Sequence, residues 1–205
     1  MARPKEFDHY EAVLKAAALF GRQGYEATSV RHLLDELGIS SSSFYAAFGG
    51  KEQLFMEALA AHAEIERDQL RLLLVGTGTF RDQFKGLLDA LIAELTSGGG
   101  TSSLTLRAAI ELAASKPEAL AFLSQYLSEL IGMVAGLITA ATERGDLEPA
   151  YPAEHLARYL LFSAFNLGFV AKVSSRRETL EGYAAIALHA LDDRQPSPAF
   201  PQPTA

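Results

Sequence analysis

Hydroxyl and cationic side chains crowd one short stretch of this chain: Thr28, Ser29 and Arg31, then Ser40, Ser41, Ser42 and Ser43, then Tyr45 and Lys51. Such groups hold phosphate oxygens well when they sit at helix N-termini, which carry unpaired N–H groups and a partial positive charge. Thr28 or Ser29 can cap a short helix starting at Val30 and offer a hydroxyl to an anion. Arg31, one turn in, has the forked donors that grip a guanine edge; the alternative is a solvated surface arginine. Ser40 can cap the next helix. Four small hydroxyl residues in a row would let that helix approach a partner closely. Lys51 opens a long helix, where the dipole disfavours a cation. A phosphate beside it would relieve the mismatch.

Other chemistries find little support. The chain has no cysteine, which excludes disulfides, thiolate metal sites and cysteine nucleophiles. His9, His32, His62, His155 and His189 are scattered without metal-ligand spacing. No nucleophile elbow, P-loop or dinucleotide fingerprint is present. We therefore expect no catalytic residues, no metal and no cofactor, and do not read the chain as an enzyme. Net charge is -7, which runs against nucleic-acid binding unless the few cations are focused on one face. Met1 to Leu54 hold six Lys/Arg against seven Asp/Glu, a net of -1.

These groups need short helices to present them, and the punctuation supplies them. Apolar residues Tyr10, Val13, Leu14, Ala17 and Phe20 recur at helical spacing, predicting a helix over Phe7 to Gln23 that Gly24 stops. Short helices follow at Val30–Leu37 and Ser41–Phe48, separated by Gly38 and ended by Gly49-Gly50. Lys51 starts a helix reaching about Leu74. Helices are then expected near 80–95, 103–114, 117–144, 152–173 and 176–192. Strand-like alternation is absent. The fold class is all-α: an N-terminal three-helix helix-turn-helix domain plus a larger C-terminal helical domain, the one to which the resemblance given below assigns ligand binding and dimerisation. The divisions are 1–50 for the helix-turn-helix, 51–75 for a connecting helix and 76–193 for the larger domain. Residues 194–205, with Pro196, Pro198, Pro201 and Pro203, form a tail that cannot be helical.

The stretch Gly24-Tyr25-Glu26-Ala27-Thr28-Ser29-Val30-Arg31, then Leu37-Gly38-Ile39-Ser40, Ser43-Phe44-Tyr45-Ala46-Ala47-Phe48 and Lys51-Glu52-Gln53-Leu54 resembles the DNA-binding domain of the TetR family. The likeness covers roughly residues 7 to 55. It implies that the third helix enters the DNA major groove. Arg31 matches a position that reaches a base or the backbone, and Ser43 one that meets DNA. Tyr45 and Lys51 match the family's phosphate-binding tyrosine and lysine. The alternative for Tyr45 is a half-buried core aromatic with a wet hydroxyl, and phosphate contact is the preferred reading. Where many relatives carry a histidine or aromatic beside the tyrosine and another two residues on, this chain has Ala46 and Ala47. Ala47 retains contact with a thymine methyl but no hydrogen bond. Phe44, Phe48, Ile39 and Leu54 are assigned to the small domain's core.

The resemblance further implies a homodimer on a near-palindromic double-stranded operator, most simply a repressor released by a small apolar ligand. The interface is expected on the helices near 152–173 and 176–192, from Leu156, Tyr159, Leu160, Ser163 and Leu167 on one and Leu180, Tyr183, Ala184, Ala187, Leu188 and Leu191 on the other. Candidate polar groups for the ligand are Arg107, Glu111, Gln125, Tyr126, His155 and Asn166. Arg107 and Glu111, one turn apart, read equally as a surface pair. The apolar runs Leu130 to Ala141 and Leu160 to Ala171 are read as buried helices too short for a bilayer, which needs about 20 residues. No membrane partner is expected, and the location is read as cytoplasmic. A helical scaffold without DNA binding is the competing reading, kept open by the near-neutral N-terminal domain.

Overall fold

The computed structural model describes residues 7–97, 103–112 and 115–192. The proline-rich segment 194–205 lies outside them. Among the described residues there is no strand. The helices are α1 (His9–Gln23), α2 (Val30–Leu37), α3 (Ser41–Phe48), α4 (Lys51–Leu74), α5 (Phe80–Thr96), α6 (Leu104–Leu112), α7 (Pro117–Glu143), α8 (Ala153–Val173) and α9 (Arg177–His189).

The chain forms two compact units. The first comprises Met1–Gln69 and Thr101–Tyr126, the second Leu70–Gly100 and Leu127–Ala205. The first unit thus extends well past residue 50, taking in most of α4, all of α6 and the start of α7.

Local rules account for the helices of the first unit. Asp8 caps α1 by accepting from the Glu11 N–H at 2.9 Å. Ala12, Val13, Ala16, Ala17, Leu19 and Phe20 form its buried stripe. Leu33 of α2 and Phe44 and Phe48 of α3 insert into the same core, with Leu54, Phe55 and Leu59 of α4 and Leu104, Ala108 and Leu112 of α6. Phe20 meets Phe55 edge-on, with centroids 5.1 Å apart, and Tyr25 meets Phe55 at 4.8 Å. Ile39 packs on the rim. The helix-turn-helix is therefore seated on α4 and α6 through one apolar core.

In the second unit α5, α8 and α9 pack on one another. Phe80, Phe84 and Leu88 of α5, Leu156, Leu160 and Leu167 of α8, and Leu180 and Leu188 of α9 are buried. Arg81 donates twice to the Asp192 carboxylate, at 2.7 and 2.9 Å.

The apolar runs extend further than their charged flanks suggested. By length and composition α7, with 27 residues and mean hydropathy 1.4, and α8, with 21 and 1.3, could each cross a bilayer. Counting only the uninterrupted apolar runs was the error, because a helix carries a few charged residues on its exposed face without ending there. About a third of each apolar window is buried within the fold. The helices pass this test as packing elements of a helical domain also do.

Candidate nucleic-acid interface

The two short helices are fixed at both ends. The Ser29 hydroxyl accepts from the His32 N–H at 3.2 Å, and His32 Nδ1 accepts from the Ser29 N–H at 3.4 Å, a reciprocal cap for α2. Ser40 caps α3, accepting from the Ser43 N–H at 3.1 Å. Its oxygen also lies 2.9 Å from both the Ser42 and Ser43 hydroxyls. Between the helices Gly38 adopts φ 66° and ψ 29°, the left-handed geometry that lets the chain reverse within one residue.

With Phe44 and Phe48 anchored in the core, the opposite side of α3 is solvent-facing. Ser41, Ser42, Tyr45 and Ala46 are exposed, and Ser43 and Ala47 half-buried. The Tyr45 ring meets Phe44 edge-on at 5.3 Å, and the residue is 52% exposed. Arg31 of α2 has its side chain 89% exposed, in a long ion pair with Asp35 at 4.0 Å. The arrangement offers a rigid rod bearing small hydroxyls, one phenol and one guanidinium. That is the chemistry of phosphate contact and groove insertion.

Two groups sit differently from expectation. Thr28 is wholly buried and donates its hydroxyl to the Gly24 carbonyl at 2.6 Å. Ser29, not Thr28, is the cap and is the residue free to meet an anion. Lys51 is half-buried with its ammonium 4.1 Å from the centre of the Tyr25 ring. The aromatic face supplies part of what the helix dipole withholds, so the position of Lys51 is tolerable without a phosphate. Besides Asp35, three of the seven acids from Met1 to Leu54 pair with cations among the described residues: Glu36 with Arg22 at 3.0 Å, Glu11 with Lys15 at 2.8 Å and Glu52 with Lys116 at 2.6 Å.

The six polar groups considered for a ligand divide between the units: Arg107, Glu111, Gln125 and Tyr126 lie in the first, His155 and Asn166 in the second. Arg107 and Glu111 bond to the backbone of the turn after α1. Gln125, His155 and Asn166 are exposed. Tyr126 is buried and donates to Glu66 Oε2 at 3.1 Å. That bond belongs to a cluster the sequence reading missed. Thr105 donates to the same oxygen at 2.6 Å, His62 Nε2 lies 3.2 Å from Glu66 Oε1, and the Leu104 N–H donates to His62 Nε2 at 3.2 Å. The spacing of His62 and Glu66, one turn apart on α4, was the available signal.

Burial alone would raise the Glu66 carboxyl. With His62 protonated, and so no longer accepting from Leu104, its hydrogen bond and charge, with hydrogen bonds from Ser103 and Thr105, outweigh it and hold the group below its ordinary value of 4.5. Burial, then the Glu66 charge, push the Tyr126 phenol up, so it stays a donor. A carboxyl lowered on folding contributes stability above its ordinary value and loses it as pH falls through the lower folded one. Glu66→Ala should cost about 2 kcal/mol at neutral pH, since it leaves buried hydroxyls unpaired. The gap from wild type should narrow below about pH 4.5 in denaturant titrations. A pH-independent gap would remove the carboxylate charge from the account.

On α8 and α9 the expected stripe faces inward. Leu156, Leu160, Leu167, Leu180, Ala184, Ala187, Leu188 and Leu191 are buried in their own unit. The apolar residues left exposed on these helices are Phe162, Phe169, Val173 and Ile186, with Tyr159 and Tyr183 from the expected set; Ser163 is half-buried. Period alone could not tell the inward stripe from this outward one.

Comparison with known proteins bears on all of this. Residues 13–58 match the profile of bacterial regulatory proteins of the tetR family. An uncharacterized HTH-type transcriptional regulator of Bacillus subtilis (strain 168), YezE, is 28% identical over 194 residues, covering 94% of this chain and all of that one. The HTH-type transcriptional repressor ComR of Escherichia coli (strain K12) is 46% identical over 57 residues, 28% of this chain and 27% of its own. Among solved structures, the TetR family transcriptional regulator CifR, complexed with 26 bp double-strand operator DNA, superposes with a TM-score of 0.79. It is 32% identical, over 93% of this chain and 100% of its own.

Proposed function

Since the chain belongs to the TetR family of transcriptional regulators, we propose that it is a dimeric reader of a near-palindromic duplex that represses from its operator and is released by a small apolar molecule. The observation carrying the reading is the outward face of α3: Ser41, Ser42, Ser43 and Tyr45 stand on a helix whose other face is locked by Phe44 and Phe48. α3 enters the major groove, with Ala47 against a thymine methyl. Ser29 at the N-terminus of α2, Tyr45 and Lys51 hold phosphates on either side. Arg31 reads a base edge. Ser40 acts chiefly as the cap that holds α3 together.

Two copies join through the exposed apolar faces of α8 and α9, setting their recognition helices one DNA turn apart, about 34–36 Å, or a near multiple. Ile186 is 67% exposed. Ile186→Glu should therefore give folded monomers by light scattering, because the carboxylate meets water in the protomer but an apolar partner in the dimer. Leu188→Glu, at a buried site, should unfold the protein instead. An unchanged dimer for Ile186→Glu would move the interface off this face. Control by an apolar ligand follows the family pattern and requires only that the ligand favour the conformation with the wrong helix spacing.

The test is enrichment of bound fragments from a random duplex pool by the purified chain. A near-palindrome is expected. No enrichment at low salt would bring forward the competing reading of a helical scaffold.

A further inference from the structure

The side chains of Arg107 and Glu111 make more backbone hydrogen bonds than a surface ion pair would. They lie one turn apart on α6, with Nε and Oε2 separated by 3.7 Å. Arg107 Nη2 donates to the Gln23 carbonyl at 2.9 Å, and Nη1 to those of Arg22 at 3.2 Å and Gly21 at 3.5 Å. These are the last carbonyls of α1, which lack helical partners and carry the negative end of its dipole. Glu111 takes the other side of the turn: Oε1 accepts from the Glu26 N–H at 2.7 Å and Oε2 from the Tyr25 N–H at 3.2 Å. One cation and one carboxylate on a single helix thus grip the outgoing and incoming backbone of a turn more than 80 residues away in sequence, a separation of 85 between Glu26 and Glu111.

Gly24 lies between the two grips, and the approach is so close that a Cβ there would stand 2.5 Å from Glu111 Oε2 and 2.9 Å from Arg107 Nη2. The turn so held is the one that launches the reading elements. Its Gly24 carbonyl takes the buried Thr28 hydroxyl, and Ser29 then caps α2. α6 is itself tied to α4, through the Leu104 N–H to His62 and Thr105 to Glu66.

We propose that Arg107 and Glu111 are positioning residues for DNA recognition: a two-sided clamp by which α6 sets the turn between α1 and α2 and, through it, the presentation of Arg31 and α3. The proposal rests on the DNA-binding reading. It touches residues that meet no DNA in that reading, so its signature differs from that of a lost contact. A lost phosphate contact lowers both the affinity and its salt slope. A mispositioned helix-turn-helix lowers affinity and sequence discrimination with the same number of cations in place.

The probe is the duplex that the wild-type chain enriches from the random pool, titrated at several salt concentrations against Glu111→Ala, Arg107→Ala and Glu111→Gln, with Lys51→Ala as the phosphate-contact reference. Amide exchange at Tyr25 and Glu26 is followed in parallel. Glu111→Ala should bind about tenfold more weakly, because a loosened turn presents α2 and α3 correctly in only about a tenth of the molecules and the apparent affinity falls by that fraction. Its salt slope should match wild type, and both amides should exchange faster. Glu111→Gln, which keeps one acceptor oxygen at the same place, should recover part of the affinity, and is the variant to rely on if the alanine change unfolds the chain. Affinity for the duplex within roughly twofold of wild type in all three variants, despite faster exchange, would make the clamp a packing feature only and overturn the proposal. A salt slope that falls as in Lys51→Ala would overturn it too. Failure of the wild-type chain to enrich any duplex is a separate result that removes the DNA-binding reading and this proposal together.

Discussion

Gly24→Ala is expected to lower stability by about 4 kcal/mol and to abolish measurable duplex binding. Gly24 has φ 89° and ψ 165°, a region occupied almost only by glycine, where a side chain costs about 1–3 kcal/mol. The added methyl would also stand 2.5 Å from Glu111 Oε2. The carboxylate must then retreat and release two N–H groups, a further loss of about 2 kcal/mol. Gly38 is the internal control. Its φ is also positive, at 66°, but nothing lies within 4 Å of the Cβ position. Gly38→Ala should therefore cost only about 1–2 kcal/mol, the price of the left-handed backbone. Gly38→Asn should cost less, since asparagine tolerates that region. Denaturant midpoints decide the matter: equal losses at Gly24 and Gly38 would show that backbone strain alone governs both sites.

The double variant Tyr45→Phe, Lys51→Ala should lose about ten-thousandfold or more in duplex affinity while keeping its fold and its dimer. Each hydroxyl or ammonium on a phosphate contributes about 1.5–3 kcal/mol in hydrogen bonding to a charged group, and a two-fold complex loses each contact twice. The salt slope should fall by about two, one for each lysine of the dimer. Stability should hardly change. Tyr45→Phe keeps the ring against Phe44. Lys51→Ala gives up a cation–π contact of about 0.5–1 kcal/mol with Tyr25 but also removes a cation from the positive end of α4, an offset of similar size. Wild-type affinity in the double variant, measured on the enriched duplex, would remove both residues from the interface.

Short-range chemistry was legible in the sequence because it is local. α2 and α3 run over Val30–Leu37 and Ser41–Phe48, the spans expected from a hydroxyl cap before each and a glycine after. The apolar residues of α3 at a spacing of four, Phe44 and Phe48, are buried as their period demands. The TetR motif was legible for the same reason, since its turns, caps and core positions all fall within about fifty consecutive residues.

Three features lay beyond that range. Whether Thr28 or Ser29 caps α2 depends on where the Gly24 carbonyl ends up, and the buried Thr28 hydroxyl goes to it. The same carboxylate and guanidinium that read as a surface pair or a ligand site became a clamp, because α6 passes within hydrogen-bonding distance of a turn remote in sequence. On α8 and α9 apolar residues occupy two faces, and only packing against α5 determines that Leu160 and Leu188 turn inward while Phe162 and Ile186 stay out. The sequence by itself determined the helices, the cap of α3 and the family of the helix-turn-helix, since these follow from residues within a turn or two of one another. The tertiary structure alone decided which groups each helix spends on its neighbours and which it leaves for a partner, because a side chain's burial and hydrogen bonds depend on distant segments whose approach no local spacing encodes.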